Sequence, residues 1–273
     1  MVWKTVAGIV VGLAVCNLAV AFREVGRHKD KIWLHRCNSM EKLYEKEHRY
    51  PNVEVDLVFR EDNTFDVTHD VGVSFGQQLD DYFAHMGETG GRMWLDIKNL
   101  NPGNAERMLD ALDMLAESYG MDKERLIVES PDWESLGQFT REGFYTSCYV
   151  TLDLPRRVEP EEEERGIEAL RRVVDSGNVC ALSFPGPWYS TLKEELDRPI
   201  DLLTWRHRTT QLEFFLSPMG RKMVNDPQLK VILVKDKGKY GSVRKSGCVP
   251  SYNPIKIIFL CHETMASVTH RIS

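Results

Sequence analysis

The sequence predicts an α/β protein, a (β/α)8 barrel of the TIM type that is preceded by an N-terminal hydrophobic leader. Eight principal strand-like runs alternate with stretches of helical character along the chain. Several of these runs are continuously apolar, as strands of a parallel sheet are when both faces are buried. No glycine-rich phosphate loop follows the first run, which argues against a dinucleotide-binding fold. Eight units favour a closed barrel over an open sheet.

The composition agrees with one globular domain and excludes several other classes of protein. The chain has 273 residues, and single α/β barrels commonly need about 250. Apolar residues make up 42% and charged residues 28%, which excludes disorder for the bulk of the chain. The net charge is −6 and no basic block is present, so we expect no nucleic acid as a partner.

The N-terminus carries a leader. Residues 5–22 are apolar over roughly the length that a short membrane span needs, and Lys4 precedes them. Ala19-Val20-Ala21 matches a signal-peptidase site, so a cleaved signal peptide and an uncleaved signal anchor are both open. We therefore expect a leader at 1–22, a linker at 23–30 and a single barrel domain at 31–273. The barrel is expected outside the cytosol, as a secreted, periplasmic or membrane-anchored protein, with membrane association through the N-terminal segment if it is retained.

The elements follow in order from local patterns. The first strand is short and apolar, the second is rich in β-branched residues, and residues 64–69 form a hairpin extension of it after a turn-like triplet. Residues 104–119 carry an apolar helical stripe, and Pro160 with a run of acids suits a helix N-terminus. Barrel strands are expected at 31–36, 52–59, 92–98, 125–129, 144–152, 178–184, 200–205 and 229–235. Helices are expected at 39–48, 77–86, 104–119, 133–140, 160–174, 188–196 and 211–223.

The cysteines and the C-terminal residues are less informative. The spacing of the cysteines does not suggest a zinc site. Cys248 and Cys261 are the nearest candidate disulfide pair, and buried free thiols are equally consistent with the sequence. Residues 255–260 look strand-like but have no assigned place, and the role of residues 238–273 is open.

Two carboxylates inside the second strand predict a metal site. Glu54 and Asp56 are two residues apart and therefore share one face of the strand, while the apolar Val55 faces the other way. Burying both carboxylates without a cation would be costly because of desolvation and like-charge repulsion. Asp96, at the end of the third barrel strand, can supply a third carboxylate. An all-oxygen set suits one divalent cation, Mg²⁺ or Ca²⁺.

Two histidines lie on either side of this acidic cluster in the sequence. His35 ends the first strand and His69 ends the hairpin strand. Two imidazoles can divide the roles of base and acid in phosphodiester cleavage, although the sequence does not say which takes which role. Lys98 could stabilise charge on phosphoryl oxygens. Arg36 is a second candidate phosphate ligand, with a bracing role in the barrel equally open, and Trp205 is a candidate at the barrel mouth.

The order His-Arg, Glu-x-Asp, His-Asp and Asp-x-Lys resembles the glycerophosphodiester phosphodiesterase superfamily, the PLC-like phosphodiesterases. The resemblance has motif support over residues 31–100 and implies a TIM-type barrel, a divalent metal and two catalytic histidines. It implies acid–base roles for His35 and His69, metal binding by Glu54, Asp56 and Asp96, and a phosphate contact for Lys98. The substrate class that it implies is a glycerophosphodiester or a phospholipid head group, cleaved by hydrolysis or by intramolecular attack that yields a cyclic phosphate.

The sequence also departs from the usual pattern of the superfamily. The residues after His35-Arg36 read CNSMEKLYE, so the glutamate of the usual Pro-Glu-Asn-Thr segment is missing. Asp-Ile-Lys is similar to the sphingomyelinase D branch, and His-x-x-Asn-Ser is similar to the menorin branch. Two alternatives therefore remain: a catalytically silent barrel that acts as a binding or interaction protein, and another metal-dependent barrel hydrolase. Asn38 could orient the site or cap a helix, and a core or rim role is favoured for Glu129.

Overall fold

The computed structural model describes residues 2–152, 159–206 and 209–237, which form a closed barrel. Eight strands are parallel, and the barrel closes because the first strand pairs with both the second and the last. The strands are β1 (Ile32–Leu34), β2 (Val53–Phe59), β3 (Phe65–Val67), β4 (Met93–Ile97), β5 (Leu126–Ser130), β6 (Tyr145–Tyr149), β7 (Ala181–Pro185), β8 (Asp201–Trp205) and β9 (Leu229–Val234). The predicted TIM-type barrel is confirmed.

Helices follow most strands and cover the outside of the barrel. They are α1 (Val2–Arg27), α2 (Met40–Lys46), α3 (Leu79–Thr89), α4 (Ala105–Ser118), α5 (Trp133–Arg141), α6 (Pro160–Ser176), α7 (Tyr189–Glu195), α8 (Gln211–Leu216) and α9 (Pro218–Val224). The extra strand β3 pairs antiparallel with β2, with Phe59 opposite Phe65. It is therefore the predicted hairpin extension and not a barrel strand.

The strands separate two apolar cores. Side chains such as Val55 and Leu57 join the larger core beneath the helices. A second cluster includes Trp33, Trp94 and Leu203 and lies apart from that core, as expected for side chains that fill the barrel interior. Because side chains alternate along β2, Glu54 is on the opposite face from Val55, within the barrel.

The predicted single helix at 211–223 is wrong. Two short helices, α8 and α9, meet at Ser217, whose side chain accepts a hydrogen bond from the backbone of Gly220. Pro218 is the reason, because a proline cannot donate the backbone hydrogen bond that a continuing helix requires but is tolerated in a first turn. Thr210 starts α8 with a capping box to Glu213.

The leader forms a helix that extends beyond the predicted boundary at residue 22. Helix α1 continues to Arg27, so most of the segment expected to be a linker is helical. Its C-terminal part packs on the barrel: Ala21 is fully buried, and Asn17 and Glu24 accept hydrogen bonds from Arg221 and Asn225. Residues 5–27 are long and apolar enough to cross a membrane, a test that signal sequences also pass.

Some predictions fall on residues that the structure does not describe. Cys248, Cys261 and the strand-like run at 255–260 all lie outside the described residues. The four cysteines of the described part, Cys16, Cys37, Cys148 and Cys180, are free thiols.

Candidate active site

Three neighbouring barrel strands place one acidic residue each in the same row. Asp56 of β2 lies beside Asp96 of β4, and Asp96 lies beside Glu129 of β5. Parallel strands are about 4.8 Å apart, so carboxylates that share a row and a face are close together. The row is near the carboxyl ends of the strands, where the active sites of TIM barrels are built.

Glu54 completes an acidic cluster with a geometry that suits a cation. One carboxylate oxygen from each of Glu54, Asp56 and Asp96 lies within 4.8 Å of the others. Glu54 and Asp56 are almost completely buried, at 2% and 1% exposed. Hard divalent cations such as Mg²⁺ and Ca²⁺ prefer oxygen ligands of this kind, so the residues present fit such an ion.

The negative charges of the cluster are only partly balanced by positive charges of the chain. Burial, together with the neighbouring carboxylates of Asp56 and Asp96, raises the pKa of Glu54 well above its ordinary value. Burial also raises the pKa of Asp96, and nearby Asp56 adds to this effect. Glu129 behaves in the same way, because burial and Asp96 raise its pKa well above the ordinary value. A bound cation would relieve this repulsion.

Lys98 supplies part of the missing charge. Its Nζ lies 2.6 Å from Oδ1 of Asp56 and also donates a hydrogen bond to Oδ2 of Asp96. Burial opposes the charged form of Lys98, but the two aspartates prevail and raise its pKa. Burial likewise works to raise the pKa of Asp56, yet the ion pair with Lys98 and the hydrogen bond from Asn38 lower it. Asp56 is therefore the charged anchor of the cluster.

The turn after β1 brings backbone and side-chain donors to the acids. Arg36 has a positive φ of 52°, an uncommon conformation for a residue with a side chain, and its N–H donates to Oε2 of Glu54 at 2.5 Å. Its guanidinium Nε lies 3.7 Å from Oδ2 of Asp56. Lys42 stabilises the turn, since its Nζ donates hydrogen bonds to the carbonyl oxygens of His35 and Arg36. The Arg36 side chain is 42% exposed and lines the cavity, so it can reach a ligand.

His35 lies at the inner edge of this turn. It is 7% exposed, and its Nε2 is 3.8 Å from Oε2 of Glu54. Burial, with a contribution from the positive charge of Arg36, lowers the pKa of His35 to about 3. The imidazole is thus neutral at physiological pH when no cation is bound. Within the described residues, its Nδ1 is buried without a hydrogen-bond partner.

His69 lines the same cavity as His35. It follows β3, its side chain is 47% exposed, and its Nδ1 lies 2.9 Å from Oδ1 of Asp70. This contact orients the ring and leaves Nε2 available. The two histidines line one cavity of about 210 Å³ with Lys98 and the carboxylates of Glu54, Asp96 and Glu129.

An aromatic pair forms part of the wall of the cavity. Trp205, at the end of β8, stacks on Tyr149, at the end of β6, with ring centroids 5.0 Å apart and an angle of 20° between the planes. Both residues line the cavity. The sequence-based prediction included Trp205 and omitted Tyr149, which no motif marks.

The structure brings together the residues that the sequence analysis selected. Seven of the eight candidates line the cavity, and the eighth, Asp56, lies beneath it in contact with Arg36 and Lys98. Glu129 was assigned a core or rim role, but it belongs to the acidic row and its Oε2 has no partner among the described residues. Its position at the end of a strand, in step with Asp96, was the available signal.

Comparison with solved structures shows which fold this is. No protein-family model and no curated protein matches the sequence. Structural similarity is found to a glycerophosphodiester phosphodiesterase of Parabacteroides distasonis, with a TM-score of 0.53 and 13% identity, over 86% of this chain and 98% of that one. A phosphodiesterase of Oleispira antarctica, solved with the product sn-glycerol-3-phosphate, has a TM-score of 0.51 and 12% identity over 75% and 92%. The chain therefore shares the barrel fold of these two phosphodiesterases.

A third structure extends this likeness. A protein assigned as a glycerophosphoryl diester phosphodiesterase in Silicibacter pomeroyi has a TM-score of 0.55 and 16% identity, over 75% of this chain and 89% of that one. The superfamily resemblance seen in the motifs is therefore matched by the fold. At such low identity the likeness concerns the fold, and the chemistry has to be argued from the residues of this chain.

Proposed function

We propose that the protein is a metal-dependent phosphodiesterase that cleaves a glycerophosphodiester or a phospholipid head group by acid–base catalysis with two histidines. The observation that carries the proposal is the convergence of Glu54, Asp56 and Asp96 on one point, with His35 and His69 lining the same cavity. A buried cluster of acids that lacks positive charge is what a cation site requires. Imidazoles beside such a site are suited to proton transfer.

Each residue has a role that follows from its position. Glu54, Asp56 and Asp96 would hold one Mg²⁺ or Ca²⁺, and the cation would supply charge stabilisation for the phosphoryl oxygens. Lys98 and the partly exposed side chain of Arg36 bind phosphate oxygens at the rim of the cluster.

The two histidines divide the proton transfers. One accepts the proton of the attacking hydroxyl, which belongs either to water or to the substrate, and the other donates a proton to the leaving oxygen. Trp205, packed against Tyr149, forms an apolar wall that positions the organic part of the substrate.

The test is hydrolysis by the purified full chain in a mild detergent. The chain is incubated with glycerophosphodiesters and with phospholipids, in EDTA and in Ca²⁺ or Mg²⁺, and products are followed by ³¹P NMR, which also detects a cyclic phosphate. We expect turnover only with the cation and at least about 100-fold less with His35→Ala or His69→Ala. His48→Ala is the matched control, because His48 is an exposed histidine that does not line the cavity. Equal rates in His35→Ala and His48→Ala would contradict the proposal.

A second candidate function is a binding protein without turnover. Lys98 already contacts two of the three carboxylates that would hold the cation, so the cluster is partly neutralised by the chain itself. The segment after His35-Arg36 also lacks the glutamate of the usual pattern. This candidate predicts no product from any phosphodiester in the same experiment, together with binding of a ligand that survives His35→Ala.

A further inference from the structure

The loop between β3 and α3 exposes apolar side chains next to the cavity. Val71, Val73 and Phe75 are 52%, 39% and 57% exposed. Outside α1, the other large exposed apolar residues of the described chain are on or beside helices, at Tyr44, Met114, Tyr119 and Met219. Three such side chains within five residues form a local apolar surface, which we call the rim loop (residues 70–76).

The rim loop is held in place at the mouth of the barrel. Arg60, directly after β2, donates hydrogen bonds to the carbonyl oxygens of Val71 and Val73, at 2.5 and 2.6 Å. Asp66 of β3 fixes the same guanidinium through an ion pair of 2.7 Å. His69, one residue before the rim loop, lines the cavity. The exposed apolar side chains are therefore presented beside the candidate active site by a loop that Arg60 anchors to the buried Asp66.

Helix α1 points toward the same end of the barrel. Helices α8 and α9 descend from the carboxyl end of β8 to the start of β9. Along them, Asn17 of α1 contacts Leu216 and Arg221, whereas Glu24 contacts Asn225, close to the start of β9. Helix α1 thus runs in the same direction as α8 and α9. Its N-terminal, apolar half extends toward the carboxyl ends of the strands, where the mouth is.

The large apolar side chains of that half of α1 are exposed in the part of the chain that the structure describes. In the most apolar stretch of the helix, mean hydropathy is 2.3 and only 6% of the residues are buried. Leu13, for example, is 66% exposed. A helix this apolar does not stay exposed to water, and it is covered either by lipid or by another apolar surface.

We propose that the mouth of the barrel faces a lipid bilayer, in which α1 is embedded and into whose surface the rim loop inserts. The consequence for the substrate rests on the proposed function: the substrate is then a phosphodiester lipid taken from that bilayer. Lipid is the occupant that the structure favours because an apolar helix and an apolar loop are presented at the same end of the barrel. Apolar side chains of this kind bind at the boundary between head groups and acyl chains.

The position of the rim loop can be tested without any catalysis. The full chain is reconstituted in phosphatidylcholine vesicles with a photoreactive benzophenone amino acid in place of Phe75, Met114 or Leu13, and lipid adducts are counted by mass spectrometry. Met114 on α4 is the matched control, since it is apolar and 65% exposed but does not belong to the rim loop. We expect several-fold more adducts at Phe75 than at Met114, and adducts at Leu13. No excess at Phe75 over Met114 overturns the proposal, whether or not Leu13 is labelled.

A second measurement separates this inference from the proposed function. The triple variant V71S/V73S/F75S should hydrolyse vesicle phospholipid about tenfold more slowly than the original chain, with little change for a water-soluble glycerophosphodiester. Met114→Ser should change neither rate. Equal loss on both substrates, or no loss on vesicles, counts against the rim loop as a lipid contact. If the original chain hydrolyses neither substrate while Phe75 is still labelled by lipid, the proposed function fails and the membrane-facing mouth stands.

Discussion

The side-chain amide of Asn38 pairs with Asp56 through two hydrogen bonds. Its Nδ2 donates to Oδ2 of Asp56 at 2.6 Å, and its Oδ1 accepts from the backbone N–H of the same residue at 3.0 Å. Asn38 thereby fixes the carboxylate that lies at the centre of the acidic cluster. The next residue, Ser39, accepts a hydrogen bond from the backbone of Lys42 and caps α2. Of these two adjacent polar residues, Asn38 orients an acid of the cluster and Ser39 caps a helix.

We expect Asn38→Ala to weaken binding of Ca²⁺ or Mg²⁺ by about tenfold or more, as is typical when a partner of a metal ligand is removed. The reason is that Asp56 would lose the donor that orients its carboxylate. Isothermal titration calorimetry measures the affinity. Ser39→Ala is the control, which should cost about 1 kcal/mol of stability and leave the affinity unchanged. Similar affinities for the two variants would show that Asn38 does not position a metal ligand.

Cation binding should become tighter as the pH rises. Burial and like-charge repulsion raise the pKa values of Glu54 and Asp96, so the metal-free cluster retains protons at a pH where free carboxyls have lost them. A cation has to displace those protons. Low pH therefore opposes binding, and affinity increases with pH by up to about tenfold per unit for each proton released. Calorimetry in two buffers of different ionisation enthalpy measures the release, and an affinity independent of pH would refute the prediction.

Replacing Lys98 should destabilise the metal-free chain. Lys98→Met leaves the carboxylates of Asp56 and Asp96 buried without their cationic partner, which costs about 3 kcal/mol when a buried pair is broken. Urea unfolding in EDTA and a mild detergent measures the loss, and Ca²⁺ should restore part of it. Lys123→Met is the control, because its ion pair with Asp113 is at the surface and contributes about 1 kcal/mol or less. Equal losses of stability in Lys98→Met and Lys123→Met would contradict this prediction.

The leader should be retained when the protein passes through a secretory pathway. Cleavage after Ala21 would remove Asn17, to which Arg221 donates a hydrogen bond of 2.8 Å, and would cut the helix at a fully buried residue. The intact mass of the protein purified from the membranes of a secretory host tests this expectation. A mature chain that begins at Phe22 would contradict it and would favour a signal peptide.

Local spacing in the sequence was sufficient to predict the barrel and the nucleus of the site. The alternation of strands and helices, the hairpin of residues 64–69 and the shared face of Glu54 and Asp56 depend on residues close to one another in the chain. Such patterns are determined by the period of two along a strand and by the turn residues that end it. The apolar pattern alone gave a wrong prediction at Pro218, because this proline divides the predicted helix into two.

Other features were decided only by the tertiary structure. The row of Asp56, Asp96 and Glu129 depends on the register of three strands that are far apart in sequence. The contacts of Lys98 with two acids and the direction of α1 likewise depend on how the barrel closes and packs. The sequence by itself therefore predicted which residues gather at the cavity, because their types and spacing are local. Only the closed barrel decided which of them interact through their charges, because electrostatic coupling depends on distances through space.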